Sequence, residues 1–241
     1  MSDNNEFNFD ENKFTFCGKV DIFSVEAVNN LQLVCAIASE HGFRGISTTL
    51  DKLPILTKEL KKDSLSDKTI KANCVLDYPY GNMSLDVRNF AINSAKQNGA
   101  TGIEITLPLS HIAEKSMVKI NTDLECVSNT CKKLGLDLKY IFDCENKHMD
   151  DIIKNKLAKM LHLNNIDSLI VKTSYDNVSD SIMAIRYFKS KTQCKIKAFV
   201  PASTGDDIAQ YTKAGAESIM LCWIDAPRLI YEYEILIENE T

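Results

Sequence analysis

The 241-residue chain has no CxxC pair, no excess of basic charge, no GxGxxG turn and no apolar run near the ~20 residues that a bilayer span requires. Each absence removes a class of function. Its eight cysteines are scattered at 17, 35, 74, 126, 131, 144, 194 and 222, and its four histidines do not join them at metal-ligand spacing. The nearest approach, Cys144 with His148, reads as accidental. Free thiols in a reducing compartment are the expectation, with no metal and no cofactor. A formal net charge of -5, with lysines interleaved among acids, argues against nucleic acid and for solvated helix faces. Residues 1–12, MSDNNEFNFDEN, lack a basic start and an apolar stretch, so they read as a disordered tail rather than a leader or anchor. The expectation is a cytoplasmic protein with a small-molecule partner and no membrane.

What is present is aliphatic: 44% of residues are apolar but only 8% aromatic, so the core is to be built from Ile, Leu, Val and Ala. Four segments share one signature, a polar helix end, a glycine, then an apolar run: SEHGFRGIS, KQNGATGIEITL, CKKLGLDLKYIF and TKAGAESIMLC. Gly42, Gly99, Gly135 and Gly215 stand where a helix ends in a left-handed residue. The runs after them have the continuous apolar character of strands covered on both faces.

Strands are predicted near 15–22, 43–48, 70–77, 102–107, 136–142, 167–172, 194–199 and 217–222. Helices are predicted near 25–40, 51–62, 84–98, 121–134, 148–163, 178–190, 205–214 and 225–238. Strict alternation without a linker predicts an α/β protein, a single-domain (β/α)8 TIM barrel over residues 13–241. An open doubly wound sheet is the alternative, and it lacks its glycine turn.

A barrel carries its chemistry at the C-terminal ends of its strands. Asp21, Asp77, Glu104, Lys139, Lys172 and Lys197 all fall near such ends. Each lysine alone could simply snorkel. Three lysines and a glutamate on neighbouring strands predict convergence on one small cavity. Crowded, desolvated amines lose protons readily, and a neutral lysine adds to a carbonyl to give a Schiff base. Glu104 is the expected proton carrier.

These residues carry a resemblance to the deoxyribose-phosphate aldolase family, class I aldolases with a (β/α)8 fold, over most of 20–235. LIVKTSYDN resembles the family's FIKTSTG, which implies Lys172 as the Schiff-base lysine, with Thr173 beside it at the substrate. IKAFVPAST resembles VKASGGIRT, implying Lys197 as the second lysine. GIEITLP resembles EIDMVIN and sets Glu104 in place of an aspartate; LKYIFD resembles LKVIIE and carries Lys139; KVDIFS aligns Asp21 with a strand-one aspartate. LDYPYGN resembles the GFPLG turn. The resemblance implies catalysis by Lys172, Lys197 and Glu104, and substrate binding by Asp21, Lys139 and Thr173. It further implies a lyase without cofactor, a homodimer, and a role in deoxyribonucleotide catabolism.

The departures fall in the phosphate loops. Asp176 replaces a glycine, Val200-Pro201-Ala202-Ser203 replaces GGIR, and Met220-Leu221-Cys222-Trp223 replaces GTSS. Glycines let backbone N–H groups cradle an anion, and these loops have lost them. Three readings stay open: cleavage of deoxyribose 5-phosphate to acetaldehyde and glyceraldehyde 3-phosphate; Schiff-base chemistry on an unphosphorylated aldehyde; or a catalytically inactive, repurposed barrel acting as a binding or scaffold protein. Trp223 is expected to line the cavity in the second case and to plug it in the third. His111 is expected in an exposed loop.

Overall fold

Every predicted strand forms, and each is followed by at least one helix in the computed structural model, which describes residues 16–24, 30–62, 70–145, 150–173, 177–200 and 204–240. The expected tail at 1–12, His148, Asp176 and Pro201, Ala202 and Ser203 lie outside the described residues. The elements run β1 Val20–Phe23, α1 Leu31–Glu40, β2 Gly45–Thr49, α2 Leu53–Glu59, β3 Lys71–Leu76, α3 Leu85–Gln97, β4 Gly102–Thr106, α4 Leu109–Ala113, α5 Met117–Leu134, β5 Asp137–Asp143, α6 Asp151–Leu163, β6 Ser168–Lys172, α7 Val178–Lys191, β7 Lys195–Val200, α8 Gly205–Ala214, β8 Ser218–Cys222 and α9 Ala226–Glu240. The strands close into an all-parallel barrel in chain order, with β8 pairing β1.

The four signature glycines have positive φ, from 64° at Gly135 to 116° at Gly215. That backbone ends the helix and turns the chain back into the barrel, where a Cβ would be strained. Two differences from expectation are local. A 3-10 turn at Cys17–Lys19 delays β1, and the short helix α4 precedes α5, so His111 is a half-exposed helix residue.

Alternate side chains of each strand face opposite ways. Outward residues such as Val171 and Ala198 join the large core beneath the helices, while Val75, Ile141, Ile170, Phe199 and Met220 form a separate apolar cluster inside the barrel. The strand register stacks the inward residues in layers of four, drawn from alternate strands. From the N-terminal end these are Gly45, Gly102, Ser168 and Ser218; then Asp21, Asn73, Lys139 and Lys197; then Ser47, Glu104, Ile170 and Met220; then Phe23, Val75, Ile141 and Phe199. Thr49, Thr106, Lys172 and Cys222 form the next layer, at the C-terminal mouth.

Candidate active site

The charged residues separate into two groups. Deep in the barrel, Lys197 Nζ donates to Asp21 and, at 3.0 Å, to Glu104. Arg44, just before β2, grips Asp21 with Nε at 3.1 Å and Nη2 at 2.5 Å. Lys139 Nζ donates to Asn73 Oδ1 at 3.3 Å and lies 3.6 Å from Glu104. Asp21, Glu104, Lys139 and Lys197 are all buried.

Electrostatics follows this geometry. Burial would raise the Asp21 pKa, but Lys197 and Arg44 hold it well below the ordinary carboxylate range. Burial opposes a charged Lys197, yet Glu104 and Asp21 outweigh it and raise its pKa. Lys139 goes the other way: burial and the neighbouring Lys197 ammonium lower its pKa, and Glu104 only partly offsets them.

Lys172 stands apart at the end of β6. Its ammonium donates to Asp143 Oδ2 at 3.0 Å and to Glu145 Oε2 at 3.2 Å, and its side chain is 22% exposed. Burial works against its charge, but the hydrogen bonds to Asp143 and Glu145 raise its pKa above the usual lysine value. The expected single cavity of mutually depressed lysines is therefore not what forms; of the three, only Lys139 has a lowered pKa.

The physical reason is the apolar layer between the groups. Phe23, Phe199 and Tyr78 form a triangle of rings with centroids 4.6, 5.9 and 6.4 Å apart, packed with Val75 and Ile141. Burying Val75, Ile141 and Phe199 stabilises the barrel by about 1.5–3 kcal/mol each, so the separation is built into the core. Phe199 stands two residues after Lys197, where VKASGGIRT has a serine. Trp223, expected to line the cavity under one reading and to plug it under another, packs instead against the outer core.

Two other candidates have structural partners. Thr173 is 1% exposed, donates both N–H and O–H to the Phe199 carbonyl at 3.0 Å, and lies beside Tyr211 of α8, off the barrel axis. Asp77 is clamped by the buried Arg88 at 2.7 Å and accepts the backbone N–H of Met83 at 3.0 Å; Arg88 also reaches Asp123 at 3.0 Å. The sequence reading missed Asp143, Glu145, Arg44 and Asn73. Asp143 had a signal: it ends LKYIFD where LKVIIE ends in glutamate.

No protein-family model matches the chain. It is 23% identical over 191 residues to the deoxyribose-phosphate aldolase of Treponema denticola, covering 77% of this chain and 84% of that protein. To the deoxyribose-phosphate aldolase of Lactobacillus acidophilus it is 20% identical, covering 79% and 78%. Among solved structures, the deoxyribose phosphate aldolase of Aeropyrum pernix superposes with a TM-score of 0.74 at 19% identity, over 92% of each chain. Among the described residues no helix is long and apolar enough to cross a membrane, and no group of three His, Cys, Asp or Glu could hold a metal ion.

Proposed function

We propose that this chain, a divergent deoxyribose-phosphate aldolase-like barrel, is an aldolase-type lyase whose Lys172 forms a Schiff base with a small aldehyde at the C-terminal mouth. One observation carries the reading: a partly exposed amine at the end of β6 with two carboxylates within hydrogen-bond reach. The neutral amine adds to the carbonyl carbon, water leaves, and the resulting iminium draws electrons from the neighbouring C–C bond. Asp143 takes the proton from Nζ and, with Glu145, carries protons to and from the substrate.

Proton transfer is thereby assigned to these two acids rather than to Glu104 and Lys197, which lie beneath the aromatic layer. Asp21 and Lys139 then hold the buried charge network rather than the aldehyde, and Thr173 braces β6 against β7. The loss of the phosphate-loop glycines, with Asp176 and Val200 standing in their place, favours an unphosphorylated substrate over deoxyribose 5-phosphate. Because Lys172 has a raised pKa, its neutral fraction is small at pH 7 and grows as pH rises.

The test is borohydride trapping with acetaldehyde, deoxyribose and deoxyribose 5-phosphate at pH 7 and at alkaline pH, with the adduct mapped by mass spectrometry. The expected adduct sits on Lys172, strengthens at alkaline pH and is lost in Lys172→Ala. The filled barrel and charged Lys172 support a second reading, a repurposed binding barrel. Folded protein that gives no adduct with any carbonyl at either pH decides for it.

A further inference from the structure

The N-terminal end of the barrel is open where the middle is closed. Its lowest inward layer is Gly45, Gly102, Ser168 and Ser218, too small to fill the mouth. The glycines are required there: a Cβ on Gly45 would come within 2.8 Å of Asp21 Oδ1, and one on Gly102 within 2.6 Å of Asn73 Oδ1. The result is a cavity of about 530 Å³, lined by Arg44, Asn73, Lys139, Ser168, Gln193 and Lys195 among others. A smaller one of about 240 Å³ shares Arg44, Lys139, Ser168 and Lys195 and reaches Lys197.

The charges beneath this cavity do not balance. Arg44, Lys139 and Lys197 face Asp21 and Glu104, three cations against two carboxylates. Lys139 is the odd cation, with Glu104 no nearer than 3.6 Å and already 3.0 Å from Lys197. The remaining charges do not supply the missing anion. Lys71 and Asp137 close on each other at 2.6 Å, Glu217 is taken by Lys189 at 2.5 Å, and Asp167 and Lys195 are an exposed acid and base on the rim. Asn73 adds a second demand: it is 1% exposed, and its Nδ2 has no partner. A buried amide donor left unmade is costly, as is a buried cation that shares its nearest counterion with another amine.

We propose that the N-terminal mouth of the barrel binds a small oxyanion, a carboxylate or phosphate group, against Lys139 and Asn73. Lys195 and Gln193 on the rim add a cation and an amide at the entrance. Binding restores charge balance and returns Lys139 toward its ordinary protonation. The site is independent of chemistry at Lys172, which lies beyond the aromatic layer.

Thermal unfolding of the full chain tests this, with sodium phosphate and sodium acetate run separately against sodium chloride at equal ionic strength. One or both oxyanions are expected to raise Tm saturably, by about 3 °C at tenfold the dissociation constant. The more effective of the two identifies the group. Lys139→Met and, independently, Asn73→Ser should abolish the rise, and Lys195→Ala should weaken it. Lys172→Ala should leave it intact. Oxyanions no better than chloride, a rise that survives loss of the Lys139 amine, or a rise lost in Lys172→Ala would each overturn the proposal.

Discussion

At the C-terminal mouth, Lys172 meets Asp143 and Glu145 with side chains 22%, 21% and 50% exposed; deep in the barrel, Lys197 meets Asp21 and Glu104 with side chains 3%, 1% and 0% exposed. Both are one amine between two carboxylates. Water makes them different. An exposed pair is worth about 0–1 kcal/mol and leaves its members free to exchange partners and protons. A buried network resists any change of charge, because removing one partner strands the others. The upper group is therefore suited to turnover, and the lower one to holding structure and to receiving a charge that completes it.

The largest break in this contrast is Asp21→Ala. It strands Arg44, leaves Lys197 with Glu104 alone, and should cost about 3–5 kcal/mol in urea unfolding, whereas Asp143→Ala should cost no more than about 1 kcal/mol. Equal losses at the two ends would show that water reaches both.

Phe199→Ser comes next. Removing this ring should cost about 3 kcal/mol and open the layer between the two groups. Once Lys197 is brought within the field of Lys172, like-charge repulsion should move the alkaline rise of Lys172 trapping to lower pH. An unchanged profile would mean that something other than this layer isolates the two amines.

Acid acts on the lower group. The folded pKa of Asp21 lies below its unfolded value, so its contribution is fully present above about pH 4 and is lost as pH falls toward the folded value. Stability of Asp21→Asn should change less than that of the parent chain between pH 5 and pH 3, on the order of that one carboxylate's linkage. The smallest effect is expected from Asp143→Asn. Without this carboxylate the Lys172 pKa falls, so trapping begins at lower pH, but its plateau drops because the proton carrier is gone.

Much of the fold was legible because its cues are local. Gly42, Gly99, Gly135 and Gly215 mark helix ends wherever they fold, and runs such as Leu169-Ile170-Val171 are apolar on both faces only if both are covered. The strand positions of Lys172, Lys197, Glu104 and Lys139 were legible for the same reason. Their grouping was not. Nothing in IKAFVPAST says that Phe199 meets Phe23, which lies at the other end of the chain, or that Arg44 turns back onto Asp21.

Local cues along the chain settled the order of strands and helices and, through the two-residue period, which side chains could point inward. Tertiary structure decided the height of each side chain along the barrel axis, since that depends on the stagger accumulated between neighbouring strands. That height divides one apparent cluster of lysines and acids into a wet pair and a dry network. The aromatic layer keeps them apart by filling the barrel between them, out of hydrogen-bond reach of each other.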